Sequence, residues 1–160
     1  MSVPRVLPQV LGVALLALLA APVSAQQRPD YGTPVTTAQA KKIAAGVVAE
    51  CTSNKWNVAV AVVDTGGHLV YFERIDNTQT ASMDIAIMKA RAAATYRRPT
   101  RAFANAIAKG GPAVMTLPGV IASPGGEPIM VGGKVTGGVG VSGVLGDQDE
   151  QCAKAGLSKM

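Results

Sequence analysis

The stretch that decides the predicted fold is VAVAVVDTGGHLVYFER, residues 58–74. Its first part, Val58–Val63, is a continuous apolar run rich in β-branched valine, which favours a strand. Thr65-Gly66-Gly67 is a tight-turn signal, and Leu69–Arg74 resumes with further strand-forming residues. The sequence therefore predicts a β-hairpin. Since the first strand is apolar on both faces, we expect it to lie inside the sheet and not at its edge.

Helical patterns lie on both sides of this hairpin. Upstream, Thr36 and Gln39 have the spacing of a capping box, and apolar residues then recur on one helical face. Downstream, a run of helix-compatible residues ends before Pro99, and Thr100 stands where it can cap a short third helix. The predicted helices cover about residues 37–53, 82–97, 100–110 and 147–157.

Three short β-prone pieces lie between the third and fourth predicted helices. They are Val120–Ala122, Pro128–Val131 and Val135–Ser142, and the turns Pro124-Gly125-Gly126 and Gly132-Gly133-Lys134 separate them. The order helix, two strands, two helices, three strands, helix predicts a mixed α/β fold of the α+β type, with a five-stranded antiparallel sheet covered by helices. Profilin-like domains share this order, and their first and last helices lie on one face of the sheet.

The N-terminal segment differs in composition from the rest of the chain. Arg5 is the only charged residue before Arg28, Val10–Ala21 is apolar throughout, and the small residues Val23-Ser24-Ala25 precede a glutamine. This pattern predicts a secretory signal peptide at residues 1–25. The apolar run is too short for a membrane span, which needs roughly 20 apolar residues. We expect cleavage near Ala25, export to the periplasm or the medium, a polar lead-in at 26–35 and one domain at 36–160.

Charge narrows the classes of partner. Without Arg5, fourteen of the fifteen Lys and Arg face ten Asp and Glu, a net charge of +4. The excess is scattered, with adjacent pairs only at Lys41-Lys42 and Arg97-Arg98, which disfavours nucleic acid and favours small anions. The acidic residues that begin the last predicted helix are interpreted as a solvated first turn that complements the helix dipole: Asp147, Asp149 and Glu150.

Two cysteines, Cys51 and Cys152, stand about a hundred residues apart, and neither has the spacing of a metal-binding motif. In an exported protein we expect a disulfide between them. Two separate buried thiols are the alternative.

The sequence matches some catalytic and cofactor-binding motifs, but each match lacks the secondary structure that the motif requires. Gly138–Gly143 matches the dinucleotide-binding fingerprint, but it lies within a predicted strand, too near the C-terminus for the strand and acidic partner that should follow. Its glycines are interpreted as positions where another backbone or a ligand packs closely. Asp64, His68 and Ser142 supply triad residue types without the strand-to-helix elbow that exposes a nucleophile. We therefore assign no catalytic residue.

Candidate ligand-binding residues remain in two places. His68, the only histidine, can serve as a haem axial ligand or a general base, or can simply end a strand half-exposed. Met83 and Met88 are alternative soft donors, although helix methionines more often fill the core.

The second place is the junction after the long predicted helix. Arg97, Arg98 and Arg101, together with Thr100, concentrate positive charge beside the amino end of a short helix, which suits carboxylates or propionates. A solvated basic patch is the alternative. The six aromatic residues after the predicted signal limit how much of a large flat cofactor one subunit can cover, so a tetrapyrrole site would need two subunits.

Four ordered blocks resemble the GlcG/HbpS family of haem-binding-type proteins. They are VAVVDTGGHLVYFER (60–74), SMDIAIMKARAAATYRRPT (82–100), LPGVIASPGGEPIMVGGKVTGGVGVSG (117–143) and DQDEQCAKAGL (147–157). The resemblance spans nearly all of the chain after the predicted signal. It implies a profilin-like domain that self-assembles into dimers or higher oligomers, and secreted members that bind haem are implicated in extracellular haem or iron sensing.

The resemblance also implies a ligand-facing surface. It includes the 64–68 turn, Arg98-Pro99-Thr100 and Pro124-Gly125-Gly126, with His68 on haem iron, Thr100 as hydroxyl donor or weak ligand and Arg98 as anion partner. We therefore expect an exported oligomeric protein that binds or senses haem or a related tetrapyrrole. The alternatives are an enzyme or accessory protein for a small glycolate-like hydroxy or keto acid, and a structural partner subunit without a small ligand.

Overall fold

The structure, a computed structural model, describes residues 27–160, so the predicted signal peptide at 1–25 lies outside it. No helix within this range is long and apolar enough to cross a membrane. The elements in chain order are α1 Thr37–Ser53, β1 Ala59–Val63, β2 Leu69–Arg74, α2 Ser82–Tyr96, α3 Arg101–Ala108, a 3-10 helix Pro112–Thr116, β3 Gly126–Val131, β4 Lys134–Ser142 and α4 Gly146–Leu157.

The sheet is antiparallel, with the strand order β2-β1-β4-β3. The predicted hairpin is present as β1 and β2, and the predicted turn Gly132-Gly133-Lys134 joins β3 to β4. All residues of β1 are buried between neighbouring strands, as its two apolar faces led us to expect.

The prediction of a fifth strand is wrong, because Val120–Ala122 forms no strand. Proline residues on both sides of this segment, Pro118 and Pro124, cannot donate a backbone hydrogen bond to a ladder. The chain just after the segment is instead tied to the start of α3, where the Thr100 hydroxyl donates to the Ser123 carbonyl at 2.7 Å. The order of elements therefore contains two strands, not three, after α3.

Helices α1 and α4 pack on one face of the sheet, as in the predicted profilin-like arrangement. The predicted capping box begins α1, since the Thr36 side chain accepts from the Gln39 backbone N–H while the Gln39 side chain accepts from the Thr36 backbone N–H. Cys51 of α1 and Cys152 of α4 form a disulfide, with their Cα atoms 5.7 Å apart. Both cysteines belong to the main apolar core, which also contains side chains of β1, β3 and β4: Val60, Val62, Ile129, Val139 and Val141.

Helix α2 covers the other face of the sheet through small side chains. Ala86, Ala90 and Ala94 form a second core cluster with β1 residues, and they lie over Gly138 and Gly140 of β4. The glycines of the Gly138–Gly143 stretch thus allow another backbone to pack closely, as interpreted from the sequence.

The polar lead-in is bound to the sheet. The Val135 N–H donates to the Asp30 carbonyl, and the Gly32 N–H donates to the Val135 carbonyl, both at 2.8 Å. Tyr31 forms a parallel bridge with Val135 beyond Gly138, which is the last residue of β4 that pairs with β1. The lead-in therefore occupies the place beside β4 that β1 leaves vacant.

Candidate functional site

The two adjacent arginines lie at the reversal of the chain that ends α2. Arg97 has φ 53° and ψ 44°, in the left-handed region, and its N–H donates to the carbonyls of Ala93 and Ala94. Pro99 then prevents the helix from continuing. Because the chain reverses at this point, the side chains of Arg97 and Arg98 meet different partners.

Arg97 holds the lead-in. One of its guanidinium nitrogens donates to the Pro29 carbonyl at 3.0 Å, and its guanidinium carbon lies 5.1 Å from the centre of the Tyr31 ring. The Tyr31 hydroxyl in turn donates to the Thr95 carbonyl at 3.0 Å. This arrangement fixes the lead-in across the C-terminal end of α2.

Arg98 lies over an aromatic platform. Its guanidinium carbon is 5.3 Å from the Phe103 ring centre, and the Tyr96 ring meets Phe103 edge-on at 5.3 Å. The buried Arg98 Nε has no hydrogen-bond partner among the described residues. Burial, and then the nearby positive charge of Arg28, hold the pKa of Arg98 below its usual range. An unpaired donor beside a second cation is suited to an anion.

Thr100 is completely buried and does not face solvent. Its hydroxyl donates to the Ser123 carbonyl at 2.7 Å and accepts from the Gly126 N–H at 3.0 Å, so it supports the Gly125-Gly126 turn. It stands at the N-cap of α3 without a capping hydrogen bond from its side chain, contrary to the expected cap. Gly125 has φ 115° and lies against Lys89 and Asp149, where a side chain has no room.

A buried ion pair lies beneath this turn. Lys89 Nζ is 2.7 Å from Asp149 Oδ2 and 2.9 Å from the Val141 carbonyl oxygen, and the two side chains are 1% and 3% exposed. Burial lowers the pKa of Lys89 and raises that of Asp149, while each charge opposes the shift of the other. Lys89 is not among the residues predicted from the sequence. The one sequence signal for the burial of Lys89 is its position on the alanine-lined face of α2, next to Ala90 and three residues after Ala86.

The interpretation of Asp147, Asp149 and Glu150 as a solvated turn is wrong for two of these residues. Asp149 and Glu150 are buried, because α4 packs its first turn against β4 and the start of α3. Arg101 binds Asp147 and Glu150, and Lys154 also binds Glu150. The charge of Arg101 is therefore offset within the chain, unlike that of Arg98.

Glu127 of β3 is a further buried acid that the sequence analysis missed. It is 6% exposed, and its Oε1 has no hydrogen-bond partner among the described residues. Burial, and then the charge of Glu150, raise its pKa to about 7. Glu127 and the buried Ile129 are two residues apart on β3, so their side chains point to the same face of the sheet. This spacing is the sequence signal that places Glu127 on the core face.

His68 stands in the β1–β2 turn with its side chain 83% exposed. Its Nδ1 lies 3.3 Å from Asp64 Oδ2, while the backbone N–H groups of Gly66 and His68 donate to Asp64 Oδ1 at 2.8 and 2.9 Å. Burial alone would raise the pKa of Asp64, but these hydrogen bonds lower the pKa below its usual value. The carboxylate thus organises the turn and holds one ring nitrogen of His68.

The His68 turn and the lead-in meet the same part of α2. The Arg91 Nε donates to the Gly67 carbonyl at 3.0 Å, and Gly67 lies against the Thr95 side chain, while Tyr31 binds the Thr95 carbonyl. The structure therefore brings the His68 turn and the Arg97 junction to one end of α2. Thr100, Arg101 and the Gly125-Gly126 turn lie apart from it, beside α4.

The two candidate methionines do not fill the core. Met88 is 44% exposed, and Met83 is half-buried, with its sulfur accepting from Arg74 at 3.7 Å. Met88 lies on the face of α2 away from the sheet, which explains why the usual role of helix methionines fails here. Among residues 27–160 no group of three or more His, Cys, Asp or Glu side chains could hold a metal ion.

A cavity of about 430 Å³ lies elsewhere, between the lead-in, the start of α1 and the β3–β4 turn. Thr33, Gln39 and Lys134 are among its lining residues. None of the ligand-binding residues predicted from the sequence contributes to it.

A family model described as "Haem degrading protein HbpS-like" matches residues 35–158. The chain belongs to the HbpS-like family. The match includes the His68 turn, the α2–α3 junction and both cysteines, whereas nearly all of the lead-in precedes it.

Two relatives and one further solved structure are similar to this chain. Protein GlcG of Escherichia coli K12 is 39% identical over 93 residues, which cover 58% of this chain and 69% of GlcG. A double mutant of HbpS from Streptomyces reticuli has a similar structure, with a TM-score of 0.74, 32% identity and coverage of 94% of this chain and 97% of HbpS. A PduOC–haem complex has a TM-score of 0.73 and covers 80% and 96% of the two chains, but at 20% identity it shows the fold alone.

Proposed function

We propose that this protein is an exported, oligomeric protein that binds haem or a related tetrapyrrole and holds or senses it. The family description names haem, and a disulfide suits an oxidising compartment. The observation that carries the proposal is the pairing of His68 with Asp64.

Metal-binding histidines usually donate one ring N–H to a carboxylate, a backbone carbonyl or a water, and keep the other nitrogen for the metal. The Asp64 carboxylate, 3.3 Å from His68 Nδ1, favours a proton on Nδ1 and leaves the Nε2 lone pair available. Because the His68 side chain is 83% exposed, a ligand can reach it. These residues fit haem: His68 would hold the group through its iron, which binds histidine nitrogens.

An exposed histidine covers little of a haem, so we propose that a second copy of the chain covers the rest. Leu69, next to His68, is 47% exposed and offers apolar surface for this purpose. Arg98 serves the propionates, since its guanidinium is not offset by an acid of the described residues. Thr100 acts indirectly, because it holds the Gly125-Gly126 turn. Arg101 has no direct role in this proposal, because its charge is paired with Glu150.

A haemin titration tests the proposal. We expect a saturable Soret shift with the purified protein, a much weaker one with His68→Ala, and a spectrum of changed axial ligation with Asp64→Asn. Lys134→Gln, a surface substitution in the β3–β4 turn, is the control and should bind as the unmodified protein does. A Soret spectrum identical to that of haemin in buffer contradicts haem binding. Haem degradation, which the family description names, would also require this binding step, so an absence of binding would count against it as well.

A small hydroxy or keto acid is the second candidate ligand, and the unpaired Arg98 Nε favours it. A carboxylate of this size needs one guanidinium and no large flat surface. A ligand that binds only the native state raises the melting temperature with its concentration. We expect glycolate to do so if this candidate is right, and a melting temperature independent of glycolate contradicts it.

A further inference from the structure

Arg28 and Arg98 lie in two segments that are held together, because Arg97, which precedes Arg98, donates to the carbonyl of Pro29, which follows Arg28, at 3.0 Å. Burial, and then the positive charge of Arg28, lower the pKa of Arg98. Within residues 27–160, neither arginine forms an ion pair. Two like charges brought together are unfavourable unless an anion joins them. The buried, unpaired Arg98 Nε is a donor that such an anion would satisfy.

The surroundings hold both arginines in place. Arg98 is fixed over Phe103, and the Tyr96 hydroxyl donates to the Pro118 carbonyl at 2.6 Å, which keeps Tyr96 beside that ring. The lead-in is fixed next to Arg28, because Arg97 binds the carbonyl of the very next residue, Pro29, at 3.0 Å. The adjacent arginines of the α2–α3 junction therefore have separate tasks.

We propose that Arg28 and Arg98 form a clamp for a carboxylate of the ligand, and that Arg97 and Tyr31 are positioning residues that hold Arg28 there. Two guanidinium groups that share one carboxylate give strong, charge-assisted hydrogen bonds of defined direction. The inference rests on the proposed function where the carboxylate is a haem propionate. It adds a residue that lies outside the part of the chain matched by the family model, 35–158.

The test compares haemin with haemin dimethyl ester, in which both propionates are blocked. Loss of a charge-assisted hydrogen bond weakens binding by about tenfold or more, so we expect this loss of haemin affinity in Arg28→Gln and in Arg98→Gln. Arg28→Lys, which keeps the charge, should recover part of it. The ester should bind the unmodified protein and these variants with equal affinity.

Tyr31→Phe tests the positioning role, because it removes the hydroxyl that binds Thr95 and keeps the ring under Arg97. It should weaken haemin binding and leave ester binding unchanged, whereas a merely structural defect would weaken both. Lys134→Gln removes one positive charge from a residue that is not part of the clamp and is the matched control, with unchanged haemin affinity expected.

Each outcome decides between the two proposals. If haemin binds and Arg28→Gln or Arg98→Gln has no effect, or if the ester binds as tightly as haemin, the clamp is overturned and haem binding stands. If haemin does not bind at all, the proposed function fails, and propionate then tests the clamp alone. A melting temperature that rises with propionate in the unmodified protein and not in Arg28→Gln supports the clamp, and the absence of such a rise overturns it.

Discussion

A methyl group on Gly140 would lie 2.1 Å from the carbonyl oxygen of Ala86, so β4 and α2 meet backbone to backbone. Real atoms do not approach this closely, and the helix would have to move away from the sheet to admit a side chain. We therefore expect Gly140→Ala to lower the free energy of unfolding by about 1–3 kcal/mol, the usual cost of overpacking. Urea unfolding followed by circular dichroism measures it.

Gly32→Ala is the control for this substitution. A methyl group at Gly32 meets Lys134 Cβ and Thr136 Cγ2 at 3.1 and 3.3 Å, so these atoms need to shift by only a few tenths of an ångström. We expect little change in its unfolding midpoint. Equal midpoints for Gly140→Ala and the unmodified protein would refute the close approach of α2 to β4.

The buried pair of Lys89 and Asp149 should be costly to break. Lys89→Met leaves the Asp149 carboxylate without its cation in an apolar site, and we expect a loss of about 3–5 kcal/mol in the free energy of unfolding. The double variant Lys89→Met with Asp149→Leu buries no charge and should recover much of that loss. A single variant as stable as the unmodified protein, measured by urea unfolding, would show that the pair does not join α2 to α4.

Glu127 should make the stability depend on pH near neutrality. Its pKa is raised from 4.5 to about 7 in the folded state, so the folded chain holds this proton more tightly than the unfolded chain. The stabilisation is complete below about pH 4.5 and is lost as the pH rises through about 7. The shift corresponds to about 3 kcal/mol.

Glu127→Gln removes this titration, so its urea midpoint should change less between pH 5 and pH 8 than the midpoint of the unmodified protein. The unmodified protein should be less stable than the variant at pH 8, with the difference shrinking toward pH 5. The charged neighbours Glu150, Arg101 and Lys154 are retained in both proteins and do not account for the difference. The same pH dependence in both proteins would contradict the assignment to Glu127.

The disulfide should contribute strongly to stability. Cys51 and Cys152 are 101 residues apart, and in the loop-entropy model a bridge that closes such a loop contributes about 4–5 kcal/mol. We expect the double variant Cys51→Ala with Cys152→Ala to melt well below the unmodified protein in oxidising buffer. Under a reducing agent the two melting temperatures should converge. A melting temperature of the unmodified protein that reductant leaves unchanged, with both thiols alkylated, contradicts this role.

Local signals were sufficient for most of the fold. The capping box at Thr36 and the apolar run of β1 depend on near neighbours in the sequence, and both were predicted with the elements they begin or form. Val120–Ala122 was misassigned because its β propensity is real, while the flanking prolines and the bond from Thr100 to Ser123 decide its conformation.

The candidate site was less predictable because its contacts join distant parts of the chain. Lys89 and Asp149 are 60 residues apart in the sequence. Arg97 and Pro29 are 68 residues apart, so no local pattern predicts either contact. The sequence shows the cluster of arginines. It does not show that Arg101 forms ion pairs and that Arg98 forms none with the described residues. Only the packing of α4 against α3 separates them.

The bond between α1 and α4 also makes the backbone from Cys51 to Cys152 a closed covalent ring with two tails. The stretch 109–119 lies within this ring and is exposed at nearly every residue, which makes it a favourable place for a protease to cut. A single cut there opens the ring without separating the pieces. The nicked protein would keep its mass in a non-reducing gel, apart from one added water, and would fall into two fragments only when the disulfide is reduced.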